Sequence, residues 1–184
     1  ITDLMEFAKP AAPVPQDCSI MDIVHGAVND ASGRAGGGTA ARVRVEAGGN
    51  VPMIQADPRQ LRQAIAEVVL NALQATPGAD SAGEVLVSIR FDTFDRQVVV
   101  QVTDRGTGMT EETMRQAFAP FYSAKSAGRQ RGMGLAKALR WIELHGGTIR
   151  LDSVLGAGTT AVIILPQQGS AIPMADLPVE AALS

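Results

Sequence analysis

Three stretches of this chain combine residue types whose spacing could do chemistry. In the helical run Arg59 to Ala75, Glu67 and Asn71 lie one turn apart, so both can point at one place. A carboxylate beside an amide oxygen suits hydrated Mg²⁺, which takes few protein oxygens and keeps waters. Taken alone, the pair is more simply a solvated helix face. The second stretch is Asp104-Arg105-Gly106-Thr107-Gly108-Met109, directly after a strand. Its carboxylate stands at a strand end, and its glycines would let a ligand approach the backbone, though an ordinary turn has the same look. The third, Gly128-Arg129-Gln130-Arg131-Gly132-Met133-Gly134-Leu135, opens a helix, where exposed amides attract phosphate. It lacks the Gly-Lys-Ser/Thr ending of a P-loop and the strand and acidic spacing of a dinucleotide fingerprint.

The elements that must hold these residues follow from periodicity. Ser19 with Asp22 resembles a capping box. Behind it Ile20, Ile23, Val24, Ala27, Val28 and Ala31 repeat at helical spacing, with His25 off the stripe. Gly33 to Gly38 reads as a flexible loop before an alternating strand, Ala41 to Ala47. Asp57-Pro58 starts a helix that should run to about Thr76. On it Leu61, Ile65, Val69 and Ala72 face the core, and Ala64, Glu67, Asn71 and Gln74 define another face. The strands Glu84–Phe91 and Gln97–Asp104 form a hairpin, with Val85, Val87, Ile89 and Phe91 facing Val98, Val100 and Val102. An irregular span follows, broken by a short helix at Glu111 to Ala117. Leu135, Ala138, Leu139 and Ile142 then mark a helix from Gly132, capped by Gly146-Gly147. Strands Thr148–Val154 and Thr159–Leu165 close the domain.

This order predicts an α+β two-layer sandwich, with a mixed, mostly antiparallel sheet of about five strands against about three helices. Residues 1–9 read as a helix remnant from a longer protein, 10–18 as a proline-rich linker, 19–167 as one domain and 168–184 as a loosely held tail.

A chain of 184 residues supports one substantial core. Its net charge of −3 advertises neither nucleic acid nor an anionic membrane. The apolar run Ala161 to Leu165 falls far short of the roughly 20 residues of a membrane helix, and the N-terminus has no signal-peptide pattern. The single cysteine, Cys18, fits a reducing cytoplasm, compatible with a membrane-anchored parent, and no basic neighbour activates it.

In order and spacing, these stretches resemble the N, G1, F and G2 boxes of the superfamily of histidine kinases, gyrase, Hsp90 and MutL, most of all the sensor histidine kinases of two-component systems. Leu70-Asn71-Ala72 sits in an N box and Asp104 to Met109 form the G1 box. Phe118-Ala119-Pro120-Phe121-Tyr122-Ser123-Ala124-Lys125 resembles an F box, Gly132-Met133-Gly134-Leu135-Ala136 a G2 box, and Gly156-Ala157-Gly158-Thr159-Thr160 the ending that follows. The resemblance runs from about Ile1 to Pro166. The first nine residues look like the end of a dimerisation helix.

That likeness implies a Bergerat-type ATP-binding fold and transfer of the γ-phosphoryl group of ATP to a histidine. Asp104 would accept the exocyclic amine of adenine, rejecting a carbonyl there. Asn71 would ligate Mg²⁺, Lys125 would meet the β- or γ-phosphate, and Gly132 to Gly134 would wrap the triphosphate. The resemblance extends the nucleotide contacts to Gly106, Gly108, Met109, Met133, Leu135 and Thr159. Glu67 stands where many sensor kinases carry asparagine. It either polarises the nucleophile or only positions a metal-bound water. Gln130 and Arg131 replace the usual glycine and threonine, and Ala124 replaces a hydroxyl residue. Arg129 or Arg131 either reaches the γ-phosphate or is a solvated lid charge. Thr110 to Arg131 would form a mobile lid, which Phe118 and Phe121 either anchor or leave to fill core.

The phosphoacceptor is missing. His25 precedes Gly26-Ala27 rather than an acidic residue, and His145 at a helix end is more simply a cap. The acceptor is therefore expected on a dimerisation domain supplied in trans, with a response regulator receiver as the later partner. An ATPase or serine kinase of the anti-sigma-factor-kinase type, and a degenerate nucleotide-binding module, are the competing readings. The F box and the helix remnant weigh against the first, and intact Asn71, Asp104 and box glycines against the second.

Overall fold

The computed structural model describes residues 11–36, 43–76, 84–120, 122 and 133–168. The expected helix remnant, most of the lid and the tail from 169 onward lie outside the described residues. So do Phe121, Lys125, Arg129, Arg131 and Gly132.

The elements are β1 (Gln16–Cys18), α1 (Ile20–Ala35), β2 (Val43–Gly48), β3 (Ile54–Ala56), α2 (Pro58–Ala75), β4 (Val85–Asp92), β5 (Gln97–Asp104), α3 (Glu111–Gln116), α4 (Gly134–Leu144), β6 (Thr148–Val154) and β7 (Gly158–Pro166). The five-stranded sheet runs β2-β4-β5-β7-β6. Only β2 pairs in parallel, with β4; the other pairs are antiparallel. The expected mixed, mostly antiparallel sandwich is what forms.

Local chemistry sets the helix ends. The Ser19 hydroxyl accepts from the Asp22 N–H and starts α1. Asp57 caps α2 by accepting the N–H groups of Arg59 and Gln60, with Pro58 at the first helical position. At the end of α4, the Gly147 N–H bonds to the Ile142 carbonyl and the Gly146 N–H to that of Glu143. With Gly146 at φ 70°, this is the Schellman closure that the glycine pair implied.

The core lies between helices and sheet. Val24 and Ala27 of α1, Leu61, Ile65 and Val69 of α2, and Ile142 of α4 are fully buried against Val85, Val87, Val98, Val100 and Ile163. Fully burying one such side chain contributes about 1.5–3 kcal/mol.

Four local expectations change. Gly33 to Ala35 continue α1, which stops only at Gly36 with φ 90°, so Arg34 is helical. Ala64, set off the core stripe with Glu67, Asn71 and Gln74, is itself fully buried, because α2 packs against both α1 and α4 as well as the sheet. The proline-rich linker is more than a connection: Gln16–Cys18 pair antiparallel with Ile54–Ala56 in a separate two-stranded ribbon. Finally, α4 is described from Gly134 rather than Gly132. It buries Ala136 and Leu144 beside Ala138 and Ile142, while Leu139 is half-buried.

Candidate functional site

Strand β5 ends on Asp104, whose side chain is only 4% exposed. Its Oδ1 accepts the Gly106 N–H at 2.8 Å, which turns the chain sharply out of the sheet. The loop then crosses the end of α2. The Thr107 N–H donates to the Ala75 carbonyl at 3.1 Å, satisfying one of the carbonyls a helix end leaves open. A Cβ on Gly106 would stand 2.2 Å from that same carbonyl oxygen, so glycine is required there by contact. Gly108 is needed twice over. Its φ is 63°, and an added Cβ would lie 2.0 Å from the Val154 carbonyl.

The other wall of the loop is the β6–β7 hairpin. The Gly156 N–H donates to the Thr107 carbonyl at 2.7 Å, and the Met109 N–H to Ser153 Oγ at 2.8 Å. Ser153 Oγ in turn donates to the Gly158 carbonyl at 3.1 Å and lies 2.8 Å from Thr159 Oγ1. Thr159 is the sheet partner of Asp104, so the carboxylate, the glycine loop and Thr159 form one hydrogen-bonded unit. Sequence reasoning missed Ser153. Its signal was a polar residue on the face of β6 that Ile149 and Leu151 turn inward.

Glu67 and Asn71 lie on α2, Glu67 with 17% of its side chain exposed and Asn71 half-buried. Glu67 Oε2 faces the head of α4, where a Cβ on Gly134 would approach it to 2.6 Å. Its Oε1 accepts from Arg34 Nη1 at 2.7 Å, a partner that nothing in the motif spacing announced. Next to Gly134, Met133 is buried and occupies the N-cap position of α4 without a side-chain cap, so it adds no hydroxyl or carboxylate there. Leu135 packs partly buried against the core.

The structure thus brings Asp104, Gly106, Gly108, Met109 and Thr159 together at the end of β5, and Glu67 and Gly134 at the α2–α4 seam. Among the described residues, no group of three or more His, Cys, Asp or Glu side chains could hold a metal ion.

His145 turns out to be structural. It is 5% exposed. Its Nε2 accepts the Asp57 N–H at 3.0 Å and its Nδ1 lies 2.6 Å from the Trp141 carbonyl, so the proton sits on Nδ1. Burial pushes its pKa below the ordinary histidine value. His25 is exposed on α1.

Among the described residues no helix is long and apolar enough to cross a membrane. Residues 56–169 match the family of histidine kinase-, DNA gyrase B- and HSP90-like ATPases. The chain is 32% identical over 170 residues to the sensor histidine kinase ZraS of Salmonella typhimurium, covering 90% of this chain and 34% of that protein. It is 29% identical over 171 residues to sporulation kinase E of Bacillus subtilis, covering 93% of this chain and 22% of that one. It therefore spans about a third or less of the length of these curated relatives. Among solved structures, full-length ShkA in complex with AMPPNP superposes with a TM-score of 0.76 at 24% identity, covering 94% of this chain and 36% of that one. The mycobacterial sensor histidine kinase MprB gives 0.69 at 21% identity, covering 85% and 99%. Both show a shared fold. Since the family match runs from just before the cap of α2 to just past the last sheet strand, the chain belongs to the histidine kinase-, DNA gyrase B- and HSP90-like ATPases, as an ATP-binding catalytic domain of the histidine-kinase type.

Proposed function

We propose that this domain transfers the γ-phosphoryl group of ATP to a histidine on a dimerisation domain of its parent protein, for relay to a response regulator receiver domain. The observation that carries the reading is the buried Asp104 carboxylate, held by the Gly106 N–H at the mouth of the glycine loop. A buried carboxylate of this kind can accept a further N–H from a ligand and disfavours a ligand carbonyl, because two acceptor oxygens brought together repel and gain no hydrogen bond. That is the difference between adenine and guanine at the exocyclic position.

Asn71, with Glu67 a turn before it, supplies the oxygens for Mg²⁺, which when bound neutralises charge on the phosphates. Gly106, Gly108 and Met109 shape the wall beside the base, and Thr159 braces it. Met133, Gly134 and Leu135 offer backbone at the head of α4 for phosphate, with Gly132, Lys125 and Arg131 completing the phosphate contacts. Neither histidine here suits the acceptor role. Both ring nitrogens of His145 are engaged, and His25 lacks the acidic neighbour of a phosphoacceptor box.

The test is to incubate the chain with γ-labelled ATP and Mg²⁺, with and without the parent's dimerisation domain. Acid-labile, base-stable label on the added domain alone is the expected result. Label on serine, or ATP hydrolysis without transfer, would move the chain to another branch of the family. Nucleotide binding with no transfer or hydrolysis would make it a binding module.

A further inference from the structure

Two ion pairs of opposite polarity join α1 to α2. At the first, Asp30 accepts both Nε and Nη2 of Arg62, at 2.6 and 2.7 Å. Gly26 makes room for that guanidinium, since a Cβ there would come within 2.9 Å of Arg62 Nε. Both partners are well exposed, at 47% and 42%, so this pair is a surface seam. One turn further along α1, Arg34 donates to Glu67 Oε1 at 2.7 Å. Here the arginine is 51% exposed but the carboxylate only 17%. Its second oxygen is turned to the head of α4, where a Cβ on Gly134 would come within 2.6 Å of it.

The carboxylate of Glu67 is thus fixed at one oxygen by Arg34 and presents the other beside the first residue of α4. A negative charge at that place repels any polyanion unless a cation accompanies it. We propose that Arg34 is a positioning residue of the nucleotide site: it sets the Glu67 carboxylate and cancels its charge, so that polyphosphate can settle beside it. The inference rests on the reading that nucleotide phosphates bind at the head of α4. It goes beyond that reading by assigning a role to a residue outside the boxes, 33 positions before its partner.

The experiment is equilibrium binding of ATP in EDTA at low ionic strength, so that metal does not mask the carboxylate. Arg34→Gln should weaken binding about tenfold, and the loss should shrink to within about twofold at 0.5 M salt, as screening requires. In the Glu67→Gln background the same substitution should change affinity less than about twofold, because the charge to be cancelled is gone. Arg34→Lys should recover part of the affinity, having the charge without the planar fork. Asp30→Asn breaks the neighbouring seam pair and should bind ATP as the unmodified chain does. Unchanged affinity in Arg34→Gln, an equal loss in the Glu67→Gln background, or an equal loss in Asp30→Asn would each overturn the proposal. Absence of ATP binding by the unmodified chain both in EDTA and with Mg²⁺ present would instead sink the nucleotide-site reading itself, and the role of Arg34 with it.

Discussion

Substituting alanine at Gly106 tests whether the glycine loop is held by contact or merely permitted by flexibility. Gly106 is not in the left-handed region, so space alone decides. The added Cβ would lie 2.2 Å from the Ala75 carbonyl oxygen and 2.5 Å from its carbon. Both are backbone at the end of α2 and cannot rotate aside, so the loop must retreat by more than 1 Å to reach ordinary contact. Forcing that shift costs about 1–3 kcal/mol as overpacking. It also stretches the Thr107 N–H bond to Ala75 and the Gly106 N–H bond to Asp104, adding about 1 kcal/mol. The total of about 2–4 kcal/mol corresponds to a melting-temperature fall of about 5–15 °C for a domain of this size.

Two other glycines calibrate the measurement. Gly33 is helical with nothing within 4 Å of an added Cβ, so Gly33→Ala should stabilise by about 0.5–1 kcal/mol. Gly156 is equally open but has φ 81°, so Gly156→Ala should cost about 1–2 kcal/mol from backbone strain alone. Urea denaturation followed by circular dichroism, with ATP affinity on the folded protein, reads all three. The order expected is Gly106→Ala least stable, then Gly156→Ala, with Gly33→Ala above the parent. Gly106→Ala should also lose ATP affinity, because the retreat moves the amide that pins Asp104. A Gly106→Ala protein melting within 2 °C of the parent, with ATP affinity undiminished, would refute the close approach of loop and helix.

Ser153→Ala removes the acceptor of the Met109 N–H and the donor to the Gly158 carbonyl; it should cost about 1–2 kcal/mol, and equilibrium denaturation with ATP titration should show affinity falling alongside stability. Asp57→Ala leaves the Val14, Arg59 and Gln60 N–H groups without their carboxylate acceptor, an expected loss of about 1–2 kcal/mol by urea titration. His145 carries a pH signature. Burial lowers its pKa, so the unfolded chain binds its proton more readily, and the stability it contributes is present above about pH 6.5 and lost as pH falls below that. Denaturation midpoints of the parent should therefore drop between pH 7 and 5, with a smaller drop in His145→Gln. Asp57 acts in a lower window. Burial would raise its pKa, but the three backbone N–H groups together with the Arg59 charge outweigh it and the net shift is downward, so its contribution is present above about pH 4 and lost only below that.

The ion pair at Glu67 shows where sequence reading reaches its physical limit. Periodicity says which face a residue takes, and the long elements followed from it: the hairpin β4–β5 and helix α2 fall within about a residue of their expected bounds. The carboxylate and glycines after β5 stood out by their place at a strand end, Thr159 entered only through the family resemblance, and in the structure they lie side by side. What spacing does not carry is the identity of a partner brought from elsewhere in the chain. Strands β1 and β3 have three residues each, too few for periodicity to announce them in the sequence, and are defined by pairing with each other. Arg34 lies in a stretch whose glycines read as loop. Because the helix persists through Gly33, Arg34 falls one turn after Asp30 and comes to face α2. The same continuation that ran against local glycine content thus delivers a guanidinium to Glu67, and only tertiary packing of α1 on α2 could have decided it.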